Sequence, residues 1–176
     1  MKHFLWLNMC CLLLLACHDN KKQIAQLMQE TQHKLVQDKQ VGDTRIKLTY
    51  LPLGWEKLAD MEEEADSMEM AFRLQVINTS GGAASRPADE KLASYGVDTL
   101  FRLILNRDTL APISAERIAN GNQSGITYLV IFERRPMLPV QQAAFVFNDW
   151  LFTHTRLVFP LEKKYLLTAD SLSYRP

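Results

Sequence analysis

The chain has 176 residues, 47% hydrophobic and 23% charged, with 20 basic and 20 acidic residues. This is a globular composition of about one domain, and without a basic excess to neutralise phosphates a nucleic-acid partner is not expected. The three cysteines all lie at or before position 17, which leaves no later thiol for a disulfide, a metal site or redox chemistry.

Residues 1–16 carry one early lysine, Lys2, and an apolar run that includes Leu12, Leu13, Leu14 and Leu15 and ends on Ala16. The run is shorter than the ~20 apolar residues of a spanning helix and has the pattern of an export signal peptide. Leu14-Leu15-Ala16-Cys17 resembles the lipobox of bacterial lipoproteins. The resemblance implies cleavage before Cys17, with diacylglycerol on its thiol and palmitate-type acylation of its amine, giving an anchor to the membrane through Cys17. A thiolate is the nucleophile that takes the lipid, and two or three chains at ~0.8 kcal/mol per buried methylene hold far better than one. Removing Lys2 with the signal leaves 19 basic against 20 acidic residues. His18 follows the cysteine where an aspartate would imply inner-membrane retention, so the resemblance implies the outer membrane of the cell envelope. The run Asp19-Asn20-Lys21-Lys22 is a partial match to a surface-export signal and leaves periplasmic and surface orientation both open.

Residues 17–42 read as a lipidated tether with an amphipathic helix over 21–39, because Ile24, Leu27, Met28, Leu35 and Val36 make one stripe uninterrupted by Gly or Pro. A spacer lifting the domain off the membrane and a helix packed on its own domain fit this stripe equally. From Arg45 the period becomes two, with Ile46, Leu48 and Tyr50 on one face, and residues 71–77 form a second strand that ends in a polar loop. Residues 99–105 run through Asn106-Arg107-Asp108 into a hairpin whose return strand Pro112 makes short or an edge. Residues 126–132 are nearly all apolar and read as a strand buried on both faces, and residues 143–147 and 156–159 complete the set. Two short helices are expected around residues 55–64 and 89–95.

About seven short strands without a strand–helix rhythm point to a mainly β fold over residues 43–176, an antiparallel β-sandwich, immunoglobulin-like or related. Catalytic constellations are thin. Beyond the signal there are three histidines, His18, His33 and His154, the first two in the tether, so a His₃ zinc centre lacks ligands. His154, close to Asp149, is the one candidate base, but Ser124 lacks a nucleophile elbow, and neither Gly81-Gly82 nor Gly121 with Gly125 makes a phosphate loop. No cofactor and no metal are expected, and the chain is not read as an enzyme. The acidic run from Asp60 to Glu69 has carboxylates enough for calcium but no EF-hand order, and a solvated face is its ordinary meaning. Tyr50, Trp55, Trp150 and Phe152 could form an aromatic platform, although in a sandwich such rings are mostly core. Three classes remain. They are an envelope lipoprotein displaying a sandwich to a protein partner, which is the leading reading, a small-ligand or glycan binder, and, behind both, a hydrolase using His154.

Overall fold

The computed structural model describes residues 19–54, 68–80, 96–118 and 125–174. It is mainly β, with two antiparallel sheets packed face to face, an arrangement consistent with a β-sandwich. The strands are β1 (Val36–Val41), β2 (Thr44–Leu51), β3 (Glu69–Asn78), β4 (Phe101–Leu105), β5 (Asp108–Leu110), β6 (Ser114–Ile118), β7 (Gly125–Glu133), β8 (Ala143–Asp149) and β9 (Thr155–Leu161). Helix α1 spans Asp19–Gln29, α2 spans Lys163–Tyr174, and 3-10 turns cover Thr31–His33 and Val97–Leu100. The first sheet runs β1-β2-β3-β7-β6 and the second β5-β4-β8-β9. In an immunoglobulin domain the third strand crosses to the opposite sheet, whereas here β1, β2 and β3 are consecutive neighbours in one sheet, so the wiring is different.

Alternation explains the core. Ile46, Leu48 and Tyr50 of β2, Met70, Phe72, Leu74 and Val76 of β3, and Ile126, Tyr128, Val130 and Phe132 of β7 all face inward. Opposite them stand Phe101, Leu103 and Leu105 of β4, Phe145 and Phe147 of β8, and Leu157, Phe159 and Leu161 of β9. Phe145 is the hub, with ring centroids 5.1 Å from Phe72 across the interface, 5.9 Å from both Phe101 and Phe132, and 6.3 Å from Phe159. Such offset and edge-on rings add ~0.5–1.5 kcal/mol per pair to their burial. The outward Leu129 and Ile131 of β7 are only half-buried, so this strand is central without being covered on both faces.

The stretch around residue 36 departs from the helical expectation. Helix α1 ends at Gln29, Lys34 turns in the left-handed region at φ 55°, and Val36 to Lys39, expected to be helical, are strand β1 instead. Register with β2 wins over the stripe: Gln37 opposes Leu48 and Lys39 opposes Ile46, so both polar side chains lie on the inner side of an edge strand. Each finds a partner there, Gln37 Nε2 donating to the Pro160 carbonyl at 2.9 Å and Lys39 Nζ lying 5.5 Å from the Phe159 ring centroid. Gly42 makes the β1–β2 turn possible at φ +55°. His33, expected in the tether, is buried, with its ring 3.8 Å from that of Tyr165 on α2 and its nitrogens 2.9 Å from the Leu27 carbonyl and from a Glu30 carboxylate oxygen. The hairpin expected after Leu105 is present, and its return strand is the three-residue edge β5. The helices expected around 55–64 and 89–95 fall outside the described residues.

Candidate functional site

The two ends of the sandwich differ. At one end α2 inserts Leu166 and Ala169 into the core and carries Asp170 to a polar cluster. The Asp170 carboxylate accepts from the Tyr50 hydroxyl at 2.6 Å, the Leu53 amide at 2.9 Å and Arg134 Nη1 at 2.7 Å. Arg134 Nε also donates to the Glu69 carbonyl at 2.8 Å. Burial first, and then the Asp170 charge, push the Tyr50 phenol well above its ordinary value and keep it a proton donor. These bonds tie β2, β3, the β7–β8 connection and α2 together, with the Asp170 carboxylate, the Tyr50 hydroxyl and Arg134 all engaged in structural contacts. On the same end Asn106 Oδ1 accepts from the Gln141 and Gln142 amides at 2.8 and 3.1 Å, locking the β4–β5 turn to that connection.

The β8–β9 hairpin points to the other end, and its loop is built around one residue. Asp149 is fully buried, and its carboxylate accepts the amides of Leu151 (3.1 Å), Phe152 (2.9 Å) and Thr153 (2.8 Å) together with the Thr153 hydroxyl (2.6 Å). Since Thr153 donates to Asp149, the 2.7 Å contact with Thr155 has the Thr155 hydroxyl as donor. Leu151 and Phe152 pack against the core, and His154 closes the loop in the left-handed region at φ 52°. A short side chain that forms local hydrogen bonds holds a tight loop by replacing the missing ladder. What this fixed loop leaves outside is the Trp150 indole, 66% exposed, against the usual preference of so large an apolar ring.

The other sequence candidates separate. Asp149 and His154 do not form an acid–base pair, because the carboxylate is spent on the loop amides and His154 is an exposed turn residue with no hydrogen bond to a described residue. Tyr50 is a core residue at the α2 end, with Trp150 at the opposite end, and Phe152 packs inward, so no aromatic platform joins these three. Cys17, His18, Trp55, Ser124 and most of the acidic run from Asp60 lie outside the described residues; Glu69 begins β3. Among the described residues no three His, Cys, Asp or Glu side chains gather as a metal site would require, and no helix is long and apolar enough to cross a membrane. Sequence reasoning missed Arg134, Asp170 and the whole of α2, for which the Leu166 and Ala169 spacing was the available signal.

No protein-family model, no curated protein and no solved structure matches this chain.

Proposed function

We propose that this chain is a lipid-anchored protein of the bacterial cell envelope, held at the outer membrane by acyl chains on Cys17, whose β-sandwich presents the Trp150 loop to a protein partner. The sandwich is related to the immunoglobulin type in its layers and differs from it in wiring. The observation that carries the binding role is the 66% exposed indole on a loop locked by Asp149. A large ring held in place loses little entropy when it docks, and tryptophan is the residue most enriched among binding hot spots.

Helix α1 serves in this reading as a packed segment rather than a free spacer. Ile24 is buried, Leu27 and Met28 touch the core, and the 3-10 turn after α1 sets His33 on Tyr165 of α2. Helix α1 packs beside α2, and the Trp150 loop lies at the opposite end of the sandwich, about 20 Å along the seven-residue β8. A protein partner in the envelope is favoured over a glycan, because Tyr50 and Phe152 give Trp150 no second ring to enclose a sugar. A hydrolase is disfavoured by the commitment of Asp149 to its loop.

Two measurements test this. Palmitate labelling should enter the wild-type chain and fail in Cys17→Ser, which should also leave the membrane fraction; labelling that persists refutes the anchor. A photo-crosslinking amino acid at position 150 should give a discrete protein adduct in the native envelope, and the same group at Glu116, on the outer face of the first sheet, should not. An adduct from position 116 and none from position 150 refutes the binding role.

A further inference from the structure

The two sheets have unlike outer faces. That of the first sheet mixes both signs, with Asp38, Glu116 and Glu133 among Arg45, Lys47 and Arg73. On the second sheet the core alternates with outward positions in which Arg102, Val146 and Val158 lie in register, as do Ile104, Ala144 and Pro160, with Asn148 opposite Arg156. No outward strand position of this sheet is acidic, and none is a lysine. Val146 at its middle is already buried, Ile104 and Ala144 are half-buried, and the exposed apolar part lies along β9, where Val158 is 39% exposed; the two cations have no carboxylate partner among the described residues. Arg102 Nη1 donates only to the main-chain carbonyls of Phe101 at 2.6 Å and Asp98 at 3.2 Å, and the exposed Arg156 guanidinium makes no hydrogen bond to a described residue.

We propose that the outer face of the second sheet is a docking surface for an acidic protein surface, with Arg102 and Arg156 as the cationic contacts around Val158 and Trp150 at its rim. This rests on the protein-binding role argued above and names the partner's chemistry. Arginine and tryptophan around an apolar centre, without lysine or carboxylate, is the composition that distinguishes the middle of a protein interface from ordinary surface. Uncompensated arginines call for carboxylates, to which the planar guanidinium donates bidentately. The partner docks on the face and not by adding a strand, because Pro160 in the edge strand β9 has no amide hydrogen to give. An anionic bilayer is the poorer occupant, since two arginines without a lysine fall short of the basic cluster that holds a protein on anionic lipid.

The test uses the lipidated full chain in phosphatidylcholine nanodiscs, titrated with a soluble peptide of alternating glutamate and tyrosine and with its lysine–tyrosine counterpart, and separately with phosphatidylglycerol vesicles. The glutamate peptide should bind and the lysine peptide should not. Arg156→Glu and Arg102→Glu should each weaken binding by roughly tenfold or more, and Arg156→Gln by less, with the same melting temperature as wild type for both exposed Arg156 variants. Equal affinity in wild type and charge-reversed chains, binding of neither peptide, or binding to the vesicles alone would overturn the assignment. If the position-150 adduct forms in the native envelope and survives both charge reversals, the surface is wrong while the binding role stands. If that adduct is absent from the wild type, the binding role itself has failed.

Discussion

Asp170→Ala should be among the most damaging single substitutions outside the apolar core. The carboxylate accepts three hydrogen bonds of 2.6 to 2.9 Å, and its ion pair with Arg134 has side chains 13% and 17% exposed. Removing one partner of a buried pair costs about 3–5 kcal/mol, and an exposed pair about 0–1. This pair lies nearer the buried limit, and the variant also strands the Tyr50 hydroxyl and the Leu53 amide, so a loss of about 3 kcal/mol is expected. For a domain of this size that lowers Tm by about 6–12 °C. Urea unfolding followed by circular dichroism measures it, with an unchanged m-value as the sign that only stability has moved. Replacing both partners, Asp170→Leu with Arg134→Met, should cost less than the two single changes together, because neither charge is then left alone. A loss below about 1 kcal/mol for Asp170→Ala, or strict additivity in the double variant, would refute the view that this cluster holds α2 in place.

Thr49 is 4% exposed and its hydroxyl has no hydrogen-bond partner, so Thr49→Val should stabilise the fold by about 1 kcal/mol in the same urea assay. Asp149→Ala removes the acceptor of three loop amides and should cost about 2–4 kcal/mol, with amide exchange rising first in residues 150–154. His154→Gly, at φ 52°, should by contrast be neutral or stabilising by up to about 1 kcal/mol, which a thermal melt would show. Burial pushes the Tyr128 phenol up to about 12, with Arg117 opposing and Asp149 assisting. A group raised in this way keeps its full stabilisation below the unfolded value near 10 and loses it as pH climbs toward 12, at about 1.4 kcal/mol per pH unit. Tyr128→Phe should therefore flatten the alkaline decline in stability between those values, and an unchanged slope would count against the buried neutral phenol.

The sequence was legible where one face of a strand is large and apolar. Ile46, Leu48 and Tyr50, or Phe145 and Phe147, alternate so regularly that β2 and β8 can be read without the fold. Strand β1 was hidden because its inward positions include Gln37 and Lys39, residues acceptable only at an edge where a facing carbonyl and ring await them. Strand β6 was hidden by Glu116 and Arg117, since an edge strand has little to bury. The α2 helix commits only Leu166 and Ala169 fully to the core, and the partners of Asp170 lie 120 and 36 residues away, beyond any local pattern. Trp150 was visible as a residue but its exposure was not, because whether a ring is anchor or core depends on the loop that Asp149 shapes.

The span of the Asp170 cluster also bears on when this protein can become folded. Tyr50 and Arg134 leave the ribosome long before Asp170, and until α2 follows, the buried Tyr50 hydroxyl and the Arg134 charge have no partner and the core lacks Leu166 and Ala169 at one end. Closing a contact 120 residues long is entropically costly, and this end of the sandwich cannot be completed until α2 has been made. On the proposed export route, where a polypeptide is threaded through a membrane as an extended strand, that delay would be useful, because a sandwich that closed early could no longer pass.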